Sequence, residues 1–249
     1  MGEIAAPVKG TSPEGTSTEA EASTKVREMF TRIAPRYDLL NHVLSLQLDR
    51  IWRARVARIL KPILSRPDAV VLDLCCGTGD LALALSKAGP ARIVGADFAH
   101  PMLVQAHAKS GARITFLEAD ALRLPFEDGS LDLLTTAFGF RNLANYESGL
   151  QEIMRVLRPG GTVAILEFTE PRPGFLGDVY RWYFRVVLPR IGGMLSGDRA
   201  AYTYLPRSVA RFFRPGQLAG LMESVGYRDV SYRVWSLGTV ALHLGRRGV

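Results

Sequence analysis

The sequence predicts an α/β domain built on a mostly parallel sheet with helices on both faces. Three observations predict it. Short apolar runs of strand length alternate with helix-period segments through the middle of the chain. The first of those runs, Ala69 to Leu74, is apolar at almost every position and ends in a turn, as a strand covered on both faces should. The length of 249 residues, 47% of them hydrophobic, suits one such domain with additions and a sizeable core.

Residues 1–24 are rich in Gly, Ser, Thr, Glu, Pro and Ala, with almost no large apolar side chain. They bury too little to offset chain entropy and are expected to form a disordered tail. Residues 25–66 read as a helical cap within the domain that fills 25–249. Its first helix covers Val26 to Ala34 and stops at Pro35, and a second covers Leu48 to Leu60. Strands follow at Ala69–Leu74, Arg92–Asp97, Ile114–Glu118, Leu131–Ala137 and Thr162–Phe168. Helices fall between them at Leu81–Ala88, from Pro101 to about Lys109, and at Tyr146–Leu157, the last stopped by Arg158-Pro159-Gly160-Gly161. Residues 171–205 break the rhythm with aromatic side chains set among arginines, glycines and prolines, and read as a lid insertion over the site. A helix at Gln217–Val225 and strands at Asp229–Trp235 and Thr239–Leu244 complete the domain.

Charge is unevenly spread. Residues 27–66 carry nine basic and three acidic side chains, +6, and residues 172–214 carry eight and two, also +6. The intervening residues 67–171 carry eight and thirteen, −5. The basic flanks suit an anionic partner, such as a membrane surface or nucleic acid, or else a solvated arginine-rich face. No recognisable RNA module accompanies them, which argues against nucleic acid. The only two cysteines, Cys75 and Cys76, are adjacent and build neither a disulfide framework nor a metal site, which fits a reducing cytoplasm. The start of the chain shows no secretory pattern, and no stretch is long and apolar enough to span a membrane.

The richest signal is the turn after the first strand, Asp73-Leu74-Cys75-Cys76-Gly77-Thr78-Gly79-Asp80. Gly77 and Gly79 let backbone approach a ligand closely, and a helix follows at once. Asp97 ends the second strand, where a carboxylate can accept from both hydroxyls of a ribose. That much serves a nicotinamide dinucleotide as well as S-adenosylmethionine. Three features favour S-adenosylmethionine: the third glycine of the dinucleotide loop is missing, Asp73 stands before the loop, and Asp120-Ala121 follows the third strand near an adenine position. His42, His100, His107 and His243 lack acidic partners at metal spacing, so no metal site is expected.

Beyond the turn, the chain resembles the class I methyltransferases and, more narrowly, the ubiquinone/menaquinone biosynthesis C-methyltransferase family, over roughly residues 24–246. The elements that carry the resemblance are Met29-Phe30-x-x-Ile33-Ala34-Pro35-Arg36-Tyr37-Asp38-Leu39-Leu40-Asn41, Trp52-Arg53, Leu124-Pro125-Phe126, Phe138-Gly139-Phe140-Arg141-Asn142, Arg155 to Gly161, Glu167-Phe168 and Gly238 to His243. The resemblance implies a seven-stranded sheet with the last strand antiparallel. It implies cofactor contacts at Thr78, Asp97, Asp120 and Ala121, alongside Asp73, Gly77 and Gly79 from the turn. Two positions depart from the pattern: Gln47 replaces an expected glycine, and Ala137 replaces a serine that could reach the cofactor.

The resemblance further implies methylation of a ring carbon on a prenylated quinol, releasing S-adenosylhomocysteine, in the menaquinone or the ubiquinone branch. Such a transfer needs alignment of the donor and stabilisation of the ring oxygen's anion. Arg141 is the candidate for the anion, directly or through a water, with Tyr37 and Asn41 covering or orienting the ring. The lid would supply Tyr180, Trp182, Tyr183, Phe184, Val186, Val187 and Leu188 to the prenyl tail, and Arg181, Arg185 and Arg190 to lipid phosphates at the inner face of the membrane. A homodimer interface is the other use for that arginine-studded helix, and a sterol or phenol is the competing acceptor.

Overall fold

The computed structural model describes residues 9–38, 45, 47–171, 174–183, 186 and 199–249. Its centre is a seven-stranded sheet in the order β3-β2-β1-β4-β5-β7-β6. The strands are β1 (Val70–Leu74), β2 (Arg92–Asp97), β3 (Thr115–Glu118), β4 (Leu131–Ala137), β5 (Leu157–Phe168), β6 (Arg228–Trp235) and β7 (Val240–Arg246). Pairings from β3 through β5 are parallel, while β7 runs antiparallel to both β5 and β6. This is the α/β architecture that the alternating runs predict, with the last strand reversed. Among the described residues no helix is long and apolar enough to cross a membrane.

The helices are α1 (Glu19–Ile33), α2 (Leu48–Ile59), α3 (Asp80–Ser86), α4 (His100–Ser110), α5 (Tyr146–Val156), α6 (Phe175–Trp182), α7 (Arg199–Arg211) and α8 (Pro215–Val225). Alternate residues of each central strand feed two cores. Leu72, Leu134 and Val163 point into one with Leu150 and Ile153 of α5 and Leu218 and Met222 of α8. Val71, Leu133 and Ala164 point into the other with Trp52 and Val56 of α2 and Leu81 and Leu85 of α3. Each such fully buried leucine contributes about 1.5–3 kcal/mol. A third, smaller cluster holds α1 and α7 against α4 through Met29, Ile33, Met102 and Val209, over one edge of the sheet.

Two boundaries differ most from expectation. The expected tail of residues 1–24 ends early, because α1 begins at Glu19. Thr18 accepts the Glu21 N–H and Glu21 returns a bond to Thr18, a capping box that a composition reading passes over. Residues before it are also engaged: the Thr11 N–H donates to the Leu143 carbonyl at 2.8 Å, and the Thr11 hydroxyl lies 2.8 Å from that of Tyr204. The second difference is that β5 starts at Leu157, before Arg158-Pro159-Gly160-Gly161. Leu157 pairs with Leu131 and Thr162 with Leu133, so the Pro-Gly-Gly stretch bulges out of the ladder instead of preceding it. Of the expected lid, α6 and the start of α7 are described; Phe184, Arg185, Val187, Leu188 and Arg190 lie outside the described residues.

Candidate active site

A cleft of about 690 Å³ opens at the C-terminal ends of the parallel strands. Gly77 after β1, Asp97 at the end of β2, Asp120 and Ala121 after β3, and Gly139 and Asn142 after β4 supply its walls. Ser23 and Phe30 of α1, together with Tyr37, close it from above. Ligands in open α/β sheets bind at this edge because successive loops splay apart there.

The turn after β1 is shaped by its backbone. Cys75, Gly77 and Gly79 all adopt positive φ, at 53°, 54° and 82°. A Cβ on Gly79 would come within 3.1 Å of both Ala106 and Phe116, so that position takes only glycine. The Gly77 N–H donates to Asp97 Oδ2 and the Ala99 N–H to Asp97 Oδ1, each at 2.9 Å. Burial raises the Asp97 carboxyl to about 6, although these backbone donors pull it down. Asp120 sits on the exposed lip, where its Oδ1 accepts the Leu122 N–H at 2.9 Å.

Other expected cofactor residues stand behind the wall. Asp73 is 1% exposed; its Oδ1 accepts the Thr135 hydroxyl at 2.9 Å, and Oδ2 lacks a well-formed hydrogen bond among the described residues. Burial pushes its carboxyl up to about 7. The reason is strand alternation: Asp73 shares the face of Val71, toward α3, and not the cleft. Thr78 is buried and its hydroxyl donates to Asp38. Cys75 lines the cleft, and burial followed by the Asp97 charge pushes both thiols well above their usual range, so they are protonated packing groups.

The expected acceptor residues separate in the same way. Tyr37 lies on the cleft; a Cβ added to Gly77 would stand 3.6 Å from its ring. Asn41 lies outside the described residues. Arg141 is off the described cleft wall and 6% exposed. Its Nη1 donates to Glu167 Oε1 at 2.8 Å and to the Phe138 carbonyl, its backbone N–H donates to Glu167 Oε2 at 3.1 Å, and its guanidinium lies over the Phe168 ring. In this structure Arg141 forms a buried ion pair with Glu167 that braces the turn after β4. Asn142 of the same turn does reach the cleft, and its Oδ1 accepts from the Tyr204 hydroxyl at 2.9 Å. Phe138 stacks on Phe168 at 4.3 Å between centroids, with Trp52 of α2 against both. Sequence reasoning missed Glu167, Tyr204, Asp38 and Lys109 as parts of this frame. Glu167 and Asp38 were visible inside motifs, whereas Lys109 looks like any cation closing a helix.

Charge decides what the cleft suits. Among the described residues that line it, Asp97 and Asp120 are acidic and none is Lys, Arg or His. A dinucleotide's pyrophosphate would meet no counter-charge there, whereas the cationic sulfonium of S-adenosylmethionine would sit in the field of a net acidic wall. Gly77 and Gly139 leave backbone bare along the floor, and no group of three or more potential metal ligands exists among the described residues. The pattern of the ubiE/COQ5 methyltransferase family matches residues 18–247. The chain belongs to that family. As a ubiE/COQ5 methyltransferase it takes S-adenosylmethionine as its cofactor, which the cleft fits. A demethylmenaquinone methyltransferase of Thermus thermophilus is 50% identical over 223 residues, covering 88% of this chain and 100% of that protein. A ubiquinone/menaquinone biosynthesis C-methyltransferase of Syntrophotalea carbinolica is 44% identical over 227 residues, 90% of this chain and 94% of its own length. Among solved structures, an S-adenosylmethionine-dependent methyltransferase of Thermotoga maritima superposes with a TM-score of 0.63 at 18% identity, covering 88% of this chain and 98% of that one. Phosphoethanolamine N-methyltransferase 2 of Haemonchus contortus, solved with S-adenosylmethionine, gives 0.56 at 15%, covering 77% and 52%. These two share the fold of the ubiE/COQ5 enzyme.

Proposed function

We propose that this methyltransferase methylates a ring carbon of a prenylated quinol, converting demethylmenaquinol to menaquinol. The observation that carries the reading is the 50% identity, over 88% of this chain and the whole of the relative, to a protein named for that substrate. Other relatives carry the joint ubiquinone/menaquinone name, so the 2-methoxy-6-polyprenylbenzoquinol step is the second acceptor to test. S-adenosylmethionine supplies a methyl already activated on sulfur. The chain's task is alignment: Asp97 takes the ribose hydroxyls, the bare backbone at Gly77 lies along the amino-acid end, Asp120 and Ala121 meet the adenine, and Tyr37 covers the ring to be methylated. Arg141 serves as a positioning residue, holding Phe138 to Asn142 in place through Glu167. Purified protein given labelled S-adenosylmethionine and a short-chain demethylmenaquinol should yield labelled menaquinol. Labelling of a sterol or simple phenol instead would overturn the reading.

The same reading places the chain against a bilayer. Helix α6 leaves Phe175 81%, Val179 48% and Trp182 59% exposed, at positions i, i+4 and i+7 along one stripe. A membrane surface rich in anionic lipid suits that stripe and the basic flanks around it. Partition into phosphatidylglycerol vesicles should fall at least about tenfold in the Phe175→Glu/Trp182→Glu variant, since each buried aromatic is worth more than 1 kcal/mol. Wild-type chain that stays in solution, or that dimerises through α6 without binding lipid, would remove the membrane role.

A further inference from the structure

The Tyr37-Asp38 element stands out in the sequence, yet the chemistry above uses only its tyrosine. The aspartate has a place of its own. Thr78, inside the cofactor turn, donates its hydroxyl proton to Asp38 Oδ1. Lys109, in the last turn of α4, brings its ammonium to three oxygens at once: Asp38 Oδ2 at 2.7 Å, Thr78 Oγ at 2.9 Å and Asp80 Oδ1 at 2.6 Å. An ammonium has three protons, and each has an acceptor here. Asp80 Oδ2 then lies 3.4 Å from Arg53 of α2, which is also paired with Asp49.

We propose that Lys109 is a positioning residue for cofactor retention. It fastens the chain at Tyr37 and Asp38 onto the turn at Gly77 to Asp80, and so keeps Tyr37 over the bare backbone of Gly77. The electrostatics require a cation at that point. Asp38 and Asp80 converge on the Lys109 ammonium from different elements, and without it the two carboxylates would face one another, with Arg53, 3.4 Å from Asp80, offsetting them only in part. Repulsion would then lift the Tyr37 segment, because the turn opposite it is held by its glycines and by Asp97. All three charged side chains are 22–29% exposed, so the attraction is partly open to screening and weakens as salt rises.

The inference rests on the cofactor site and not on the identity of the acceptor, so it is tested without any quinol. Binding of S-adenosylhomocysteine to full-length Lys109→Met should weaken about tenfold, mostly through faster dissociation. Asp38→Asn should weaken binding by a similar factor, and the double variant should be little worse than either single one, because both break one clasp. Raising salt should weaken binding in wild type and have less effect in the variants. Lys109→Arg should recover part of the affinity. A Lys109→Met protein that melts at lower temperature but binds S-adenosylhomocysteine as wild type does would make Lys109 a stability residue and overturn the proposal. Additive losses in the double variant would do the same. If Lys109→Met fails to fold, Asp38→Asn with unchanged dissociation rate and salt response is the overturning result.

Discussion

Asp97→Asn is expected to weaken S-adenosylmethionine binding about a hundredfold, the worth of two charge-assisted hydrogen bonds at ~1.5 kcal/mol each. The substitution is more disruptive than its size suggests. Both Asp97 oxygens already accept backbone N–H groups, from Gly77 and Ala99. An asparagine must set its own NH2 against one of them, donor facing donor, so either the cofactor turn or the start of α4 loses its anchor. Calorimetric titration with S-adenosylmethionine, beside a circular dichroism check of folding, measures this; a loss under about fivefold would mean that Asp97 shapes the turn without holding the ribose.

The same carboxylate sets a pH dependence. Its folded value of about 6 lies above the ordinary 3.8, and Asp73 rises further, to about 7. The ionised form of Asp97 is the better hydroxyl acceptor, so cofactor affinity should fall as pH drops below about 6. Stability of the free protein runs the other way. A carboxyl whose value is raised on folding favours the folded state fully below 3.8, and this contribution is lost as pH rises through 6 for Asp97 and 7 for Asp73. Adding S-adenosylmethionine should therefore raise the melting temperature more at pH 8 than at pH 5. An equal rise at both values would show that Asp97 binds the ligand in one protonation state throughout.

Glu167→Ala should cost about 3–5 kcal/mol of stability, the usual consequence of stranding a buried charge. Glu167 is 1% exposed and accepts from the Arg141 guanidinium, the Arg141 N–H and the Phe168 N–H. Alanine takes the acceptor from both backbone N–H groups and leaves the guanidinium, still bonded to the Phe138 carbonyl, without its counter-charge in a dry interior. In a domain of this size that loss lowers the melting temperature by roughly 10 °C. Glu167→Ala combined with Arg141→Met should recover a large part of it, since the stranded guanidinium is gone. A single variant that melts within about 2 °C of wild type would mean that the pair adds nothing to the fold, and would return Arg141 to consideration as a group acting on the acceptor.

Much of this scaffold was legible because its signals are local. Strand-length apolar runs and glycines in a strand-to-helix turn act over a few residues, and β1, β2 and β4 fall within a residue of where the pattern puts them. The acidic strand ends were also legible, but which of them reach the cleft was not. Asp73 and Asp97 look alike in the sequence, yet Asp73 belongs to the strand and obeys its alternation, while Asp97 ends its strand and lines the cleft. The frame around the cleft was harder still. Lys109 meets Asp38 across 71 residues and Glu167 meets Arg141 across 26, and no periodicity encodes such pairs. The expected tail ends early for the opposite reason: its composition holds almost no large apolar side chain, and the capping box at Thr18 and Glu21 is a matter of two side chains and not of average character.

The hydrogen-bonded chain from Thr11 through Tyr204 to Asn142 has a consequence in time. Its first link joins residues 193 positions apart. During synthesis the parallel strands β1 to β5 can assemble as soon as they emerge, but this link waits until residue 204 is free of the ribosome. The cofactor cleft thus waits on chain made after the five parallel strands, and a nascent chain in which β1 to β5 have already paired still lacks a finished place to hold S-adenosylmethionine.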